Sequence, residues 1–243
     1  MKRIITIIMI GLLILSLAAC SPNGDKKGSE SVETNANEET VAVPEATEAA
    51  PAITGGWTEA QSPAITDDIK ALFEKLNTEQ MTGAQLTPVA YLASQVVAGT
   101  NHRILCKMTP TVPDAVTTYV LVTVYEDLDG NASVTDIKES KITAPEPYDP
   151  ENPVSGGWGE PTDTTVTDEV KTAVEKAASQ SDGASYKPLA LLGSQVVAGY
   201  NYSVLCEITP VTANPQSHYS IVTIYADLDG NAEIIDTFDF TES

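Results

Sequence analysis

The chain has 243 residues, which at roughly 100–200 residues per domain is enough for one large domain or two small ones. It has 13 Lys and Arg residues against 34 Asp and Glu residues, a formal net charge of −21, so a nucleic-acid partner is excluded because the chain would repel phosphates. Three cysteines and two histidines are too few for the usual four-ligand zinc site unless carboxylates help. We expect no metal and no cofactor.

The first twenty residues have the pattern of an export signal. Lys2 and Arg3 precede an almost wholly apolar run, Ile4 to Leu15, which is short for a bilayer span, and the segment ends in Leu17-Ala18-Ala19-Cys20. This tetrapeptide resembles the bacterial lipobox. The resemblance implies removal of residues 1–19 as a signal peptide and attachment of a diacylglyceryl group to Cys20. We therefore expect a lipoprotein of the bacterial cell envelope, exposed on the outer side of the cytoplasmic membrane, with the outer membrane as the alternative.

Two polar stretches are predicted to act as connections. Residues 20–54 are rich in Glu, Ala, Thr and Asn without a sustained helical or strand period, which predicts a lipidated, disordered tether. Residues 145–155 have Pro at nearly every third position, which predicts a semi-rigid linker.

The rest of the chain is an internal repeat. Gly55-Gly56-Trp57 recurs as Gly156-Gly157-Trp158, residues 94–99 recur as 194–199, and residues 127–132 recur as 227–232. The period is the size of a domain, so we predict two domains, residues 55–144 and 156–243. The first has 6 basic and 11 acidic residues, net −5, and the second has 3 and 13, net −10.

Each copy has the same predicted elements. Thr66 and Thr167 are candidate helix N-caps, and an apolar stripe at helical spacing follows each, namely Ile69, Leu72, Phe73 and Leu76, and Val170, Ala173, Val174 and Ala177. Four strands rich in Val, Ile, Tyr and Thr are predicted next, in the first copy at 86–95, 100–109, 116–126 and 132–138. Cys106 and Cys206 share a strand face with apolar residues, which predicts buried thiols.

The order of these features is a Gly pair, a helix, a strand, a Gln-Val-Val-Ala-Gly hairpin and three further strands. This order resembles the cystatin family of cysteine-protease inhibitors, over residues 55–144 and 156–243. The resemblance implies an α+β fold class with two tandem cystatin-like domains. Each would pack one helix on a curved antiparallel sheet of four to five strands, behind the disordered N-terminal tether.

The resemblance also implies a binding surface. In the family, a Gly-containing N-terminal segment and two hairpins form a wedge that blocks the cleft of a papain-like protease, and the hairpin Gln can bond to the protease backbone. The matching protease-binding residues are Gly55, Gly56, Gln95, Val96, Val97, Ala98, Gly99, Gly156, Gly157, Gln195, Val196, Val197, Ala198 and Gly199. The other interpretation of each Gly-Gly-Trp is that it only begins the first strand.

The second hairpin departs from the family pattern, which commonly has Pro-Trp there. This chain has Leu128-Asp129-Gly130 and Leu228-Asp229-Gly230, which are weaker candidates for protease contact. The surrounding Asp-x-Asp-Gly-Asn also suggests a calcium loop, but it lacks the third early acid and the distal Glu of an EF-hand, and Asp-Gly is a common hairpin signal.

Catalytic motifs are absent from the sequence. It has no Gly-x-Ser-x-Gly, no His-Glu-x-x-His and no phosphate loop, and His102 is Tyr202 in the second copy. The prediction is therefore not an enzyme but a membrane-anchored, monomeric inhibitor of papain-like cysteine proteases, which binds the membrane through diacylglyceryl-Cys20. The alternative is a non-inhibitory binding module of the cell envelope that recognises a protein, peptide or glycan.

Overall fold

The computed structural model describes residues 55–145 and 156–240, which form two five-stranded antiparallel sheets and two helices. The predicted signal peptide, Cys20, the tether and all of the linker except Pro145 lie outside the described residues. Among the described helices, none has the length and apolar character needed to cross a membrane.

Both repeats have the same order of elements. The first consists of β1 (Trp57–Glu59), α1 (Asp67–Glu79), β2 (Ala84–Val97), β3 (Gly99–Pro110), β4 (Thr118–Glu126) and β5 (Ala132–Thr143). The second consists of β6 (Trp158–Gly159), α2 (Asp168–Ala178), β7 (Ala184–Val197), β8 (Gly199–Pro210), β9 (His218–Ala226) and β10 (Ala232–Asp239). The sheet orders are β1-β2-β3-β4-β5 and β10-β9-β8-β7-β6, so each strand pairs with its neighbours in sequence.

The two helices begin where the sequence predicts. Thr66 Oγ1 accepts a hydrogen bond from the backbone N–H of Ile69 (3.4 Å), and Thr167 Oγ1 accepts one from Val170 (3.3 Å). All eight residues of the two predicted apolar stripes are buried. The N-caps and the buried helix faces are thus confirmed.

The central strands are buried on both faces. Ile104, Leu105 and Cys106 of β3 are each 0% exposed, although successive side chains of a strand point to opposite sides. Ile104 and Cys106 share a core cluster with Phe73 and Leu76 of α1. Leu105 belongs to a different cluster, on the face that the helix does not cover.

That second face packs against the sheet of the other repeat. The shared cluster contains Ala90, Leu92, Leu105, Tyr119, Leu121 and Ala144 from the first repeat, and Ala190, Leu192, Leu205, Tyr219, Ile221 and Phe240 from the second. Two buried hydroxyls cross it, since Tyr119 donates to the Leu192 carbonyl (3.0 Å) and Tyr219 to the Leu92 carbonyl (3.5 Å). Burial raises the pKa of Tyr219 to about 12, which keeps its phenol a neutral donor.

This packing shows that the predicted fold class is wrong. The chain has a β-rich fold of two five-stranded sheets packed face to face, and not two tandem cystatin-like domains of one helix on a curved sheet. The physical reason is the second apolar face, which must be kept from water and is covered by the other repeat. The described residues belong to one compact unit, and the domain boundaries at 55–144 and 156–243 stay a prediction.

Charged contacts at two equivalent places join the repeats. At one of them Lys107 pairs with Glu160. At the other, Glu207 stands where the first repeat has Lys107, and Lys187 bridges Glu207 (3.2 Å) and Glu59 (2.6 Å). The hydrogen bond from Lys187 lowers the pKa of Glu59, whereas burial raises the pKa of Glu207. A single ammonium therefore separates two carboxylates at the margin of the shared core.

Removal of that ammonium is expected to destabilise the protein. Lys187→Met leaves Glu59 beside the buried Glu207, and we expect a loss of about 1–2 kcal/mol in the free energy of unfolding at pH 7. The hydrogen bond from Lys187 lowers the pKa of Glu59. Its contribution to the free energy of unfolding is therefore complete above the ordinary pKa of a carboxyl group and is lost as the pH falls through the lowered pKa of Glu59. The loss should therefore shrink at pH 4. Urea unfolding at both pH values measures it.

The chain offers a matched rescue for this variant. Lys187→Thr together with Glu207→Lys rebuilds the arrangement of the other contact, where Thr87 and Lys107 stand at these positions. The double variant should recover most of the lost stability. If it is no more stable than Lys187→Met, or if Lys187→Met unfolds like the parent chain, the bridge does not stabilise the packing.

Candidate functional site

Three segments of each repeat meet at one end of its sheet. In the first repeat they are residues 55–57, which lead into β1, the hairpin 95–99 between β2 and β3, and the turn 127–131 between β4 and β5. The strands are antiparallel and consecutive, so these segments fall at the same end. We call it motif end 1 and call the matching end of the second repeat motif end 2. Every predicted protease-binding residue lies at one of them.

The hairpin glutamines hold the N-terminal segments against the sheets. Gln95 Nε2 donates to the carbonyl of Gly55 (3.0 Å), and Gln95 Oε1 accepts from Asn101 Nδ2 (2.7 Å). Gln195 makes the same two bonds, 2.6 and 2.7 Å long. Each amide therefore has hydrogen-bond partners within its own repeat, and the bond from these glutamines to a protease backbone stays a prediction. Asn101 and Asn201 were not among the residues predicted for the site.

Each Gly-Gly-Trp has a structural role within this arrangement. Trp57 is the first residue of β1 and pairs with Gln95, and Trp158 pairs with Gln195. The Arg103 guanidinium lies 3.9 Å from the centroid of the Trp57 ring. The segment therefore begins the first strand, as one of the two interpretations from the sequence has it. Protease contact by the Gly pairs stays a prediction.

The hairpin glycines are required by a close approach of backbones. Gly99 has φ 126°, and a Cβ on it would lie 2.3 Å from the carbonyl oxygen of Glu126. Gly199 has φ 122°, and its Cβ would lie 2.2 Å from the carbonyl oxygen of Ala226. Neither position accepts an L side chain without movement of the hairpin from the neighbouring strand.

Two tyrosines that the sequence analysis missed hold the hairpin tips. The Tyr125 hydroxyl donates to the carbonyl of Ala98, and the Tyr225 hydroxyl donates to the carbonyl of Ala198 (2.7 Å). Their recurrence exactly one repeat apart was the signal available in the sequence. Each hairpin is thus fixed to the strand beside it.

Each end exposes several apolar side chains to solvent. Val96 and Val196 are 38% and 63% exposed, and Leu128 and Leu228, at the tips of the second turns, are 86% and 83% exposed. Val97, Val197 and the tip alanines are exposed as well. Each end therefore presents a row of apolar tips on a fixed backbone, with an exposed aspartate, Asp129 or Asp229, beside the turn leucine.

The second turns are held by their own carboxylates. Asp127 accepts hydrogen bonds from the backbone N–H groups of Asp129 (2.9 Å) and Asn131 (2.8 Å) and from Asn131 Nδ2 (2.9 Å), which lower its pKa. Asp227 makes the same bonds. Within residues 55–145 and 156–240 no group of three or more His, Cys, Asp or Glu side chains is placed to hold a metal ion. These aspartates are engaged as turn residues.

The two motif ends do not lie side by side. We call the end of each sheet away from its motif end the base. The contacts between the sheets join the base of one repeat to the half of the other repeat that is nearer its motif end, as in Lys107 with Glu160 and Lys187 with Glu59. Tyr219, at the base of β9, reaches Leu92, three residues before the hairpin of the first repeat. Each hairpin tip therefore lies away from the other tip, toward the base of the opposite sheet.

No protein-family model and no curated protein matches the chain. The family resemblance of the hairpins therefore stays a prediction.

The close approach at Gly99 gives a testable difference between two glycines of motif end 1. Gly99→Ala should reduce the free energy of unfolding by about 3 kcal/mol or more, because it adds a backbone clash to an unfavourable φ. Gly130→Ala, the matched control, has a positive φ but nothing within 4 Å of its Cβ, so it should cost about 1 kcal/mol. Urea unfolding compares them. Equal losses would contradict the packing role of Gly99.

The two core thiols are expected to be inert. Cys106 and Cys206 are free and 0% exposed, and burial raises the pKa of Cys106 well above its usual value and that of Cys206 to about 12. A thiol reagent should label neither cysteine in the native protein and both after unfolding in guanidinium, as followed by mass spectrometry of their peptides. Labelling of either thiol in the native protein would contradict this.

Proposed function

We propose that the protein is a non-catalytic inhibitor of papain-like cysteine proteases, which places a motif end in the active-site cleft. The observation that supports this most directly is the convergence of the N-terminal segment, the Gln-Val-Val-Ala-Gly hairpin and the second turn at one end of each sheet. The hairpin resembles that of cystatins in sequence. The proposal depends on this local surface and not on a shared overall fold.

The surface suits occlusion of a narrow cleft. The exposed valines have few rotamers to lose on binding, and the hairpin beneath them is already fixed through Gly99 and Tyr125. With the Gln95 side chain engaged internally, contact with a protease falls to the valines, to the exposed backbone of the tip and to Leu128. Blocking of this kind breaks no bond in the target.

We further propose that the protein acts at a bacterial cell surface through lipid on Cys20. The support is the sequence Leu17-Ala18-Ala19-Cys20 behind a charged and apolar segment. Two acyl chains are enough for stable anchoring at about 0.8 kcal/mol per buried CH₂ group.

One feature favours a second candidate, a binding module that does not inhibit proteases. Asp129 and Asp229 are exposed beside the turn leucines, where the family commonly has Pro-Trp. An acidic protease cleft rim would be repelled by these carboxylates. Under this proposal the motif ends recognise another protein, peptide or glycan of the envelope.

Charged substitutions at the valines test the inhibitor directly. The full chain should inhibit papain at micromolar concentration or below, and a variant with aspartate at Val96, Val97, Val196 and Val197 should lose at least about tenfold in affinity, because the carboxylates would be buried in the cleft. Hydrolysis of a fluorogenic peptide by papain measures this.

The control places two aspartates outside the motif ends, one in each repeat. Val112 and Val211 are exposed in the connections between β3 and β4 and between β8 and β9, at the bases of the sheets. Val112→Asp with Val211→Asp should leave inhibition unchanged. Failure of the parent chain to inhibit papain would favour the binding module, and equal losses in both variants would contradict a role for the valines.

A further inference from the structure

We propose that motif end 2 holds a binding site for a basic side chain, formed by the exposed ring of Tyr200 and the carboxylates beside it. The role of this site in protease binding rests on the proposed function: the site would bind a lysine or arginine side chain of the docked protease. The first repeat does not have this site, so the two ends differ in the partner they prefer.

A stacked pair of tyrosines forms one wall of the site. Tyr200 follows Gly199 and pairs with Val196 across the hairpin. Its ring is parallel to that of Tyr202, with centroids 5.8 Å apart and planes inclined by 9°. The Tyr202 hydroxyl donates to Glu169 Oε1 (3.1 Å), which holds the inner ring in place. Tyr200 is 41% exposed, so it offers a supported aromatic face to solvent.

Carboxylates dominate the groove beside the pair. The groove, of about 520 Å³, lies between the start of α2 and the turn after β9. Asp168, Glu169 and Asp227 line it, against the single ammonium of Lys176, which donates to the backbone of that turn. Lys171 pairs with Asp168 (3.3 Å) in an exposed contact of the kind that contributes little. A cation over the Tyr200 ring is attracted both by the ring face and by the carboxylates.

Motif end 1 provides an internal comparison. Thr100 stands at the position of Tyr200, and His102 stands at that of Tyr202. The His102 ring is enclosed by hydrogen bonds to the Tyr91 hydroxyl (2.9 Å) and to Glu126 (3.1 Å). None of the described aromatic residues at this end is exposed. The two ends therefore share a hairpin but only the second has an open aromatic face.

The Tyr200 site lies beside the exposed hairpin valines of motif end 2. Val196 is more exposed than Val96, and Tyr200 lies directly across the hairpin from it. Tyrosine is common among the residues that contribute most to protein interfaces, because it covers a large area and loses little rotamer freedom. Motif end 2 is thus expected to bind a partner with a basic rim more tightly than motif end 1.

The first test is independent of any protease. The full chain is titrated with two blocked peptides, Ac-Gly-Arg-Gly-NH₂ and Ac-Gly-Glu-Gly-NH₂, while the tyrosine ring resonances are followed by NMR. The arginine peptide should shift the resonances of Tyr200 and Tyr202, and its affinity should fall at least about threefold when the salt concentration is raised tenfold. The glutamate peptide should shift neither. Tyr200→Thr should abolish the response, and Tyr200→Phe should retain it.

The second test asks whether the site serves protease binding. In a chain blocked at motif end 1 by Val96→Asp and Val97→Asp, Tyr200→Thr should weaken inhibition of papain about tenfold, while Tyr200→Phe should not. In a chain blocked at motif end 2 by Val196→Asp and Val197→Asp, Tyr200→Thr should have no effect.

The outcomes separate the two proposals. No response of Tyr200 to the arginine peptide, or an equal response to the glutamate peptide, overturns the site. A response to the arginine peptide without inhibition of papain by any form supports the site and overturns the inhibitor. If Tyr200→Thr does not change the inhibition of papain by the chain blocked at motif end 1, the site has no role in protease docking.

Discussion

Each sheet of this protein has two apolar faces, and burial of the second face against the other repeat is the constraint on which the rest of the structure depends. A helix of 13 or 11 residues covers one face only. The buried hydroxyls of Tyr119 and Tyr219 and the bridge at Lys187 lie where the sheets meet, so they satisfy polar groups that this contact would otherwise leave unpaired. The repeats are therefore two halves of one core.

The shape of the motif ends follows from that core. Strands that are buried on both faces cannot shift their register without exposing apolar side chains, so the hairpins at their ends are held in fixed positions. Gly99 and Gly199 allow neighbouring backbones to approach, and Gln95 and Gln195 tie the N-terminal segments to the hairpins. A surface that is ordered before binding loses less conformational entropy when a partner docks.

Local features of the fold could be predicted from the sequence, and the contact between repeats could not. Helix caps and strands depend on neighbouring residues, so Thr66, Thr167 and the hairpins were placed correctly. The second apolar face did leave a signal, since Ile104-Leu105-Cys106 and Val120-Leu121-Val122 are continuous apolar runs typical of strands buried on both sides. What covers Leu105 and Leu121 lies about a hundred residues away, beyond any local pattern. The inward bonds of Gln95 and the stacking of Tyr200 on Tyr202 likewise depend on strand register and side-chain direction.

The separation of the two motif ends decides how this protein could act as a bivalent molecule. Each hairpin lies toward the base of the other sheet, so one partner with a single cleft could not reach both hairpins at once. Avidity would therefore require partners that are themselves paired or arrayed. The described part of the chain begins with Gly55 at motif end 1, so along the chain the preceding residues join the protein at this end and not at the Tyr200 end.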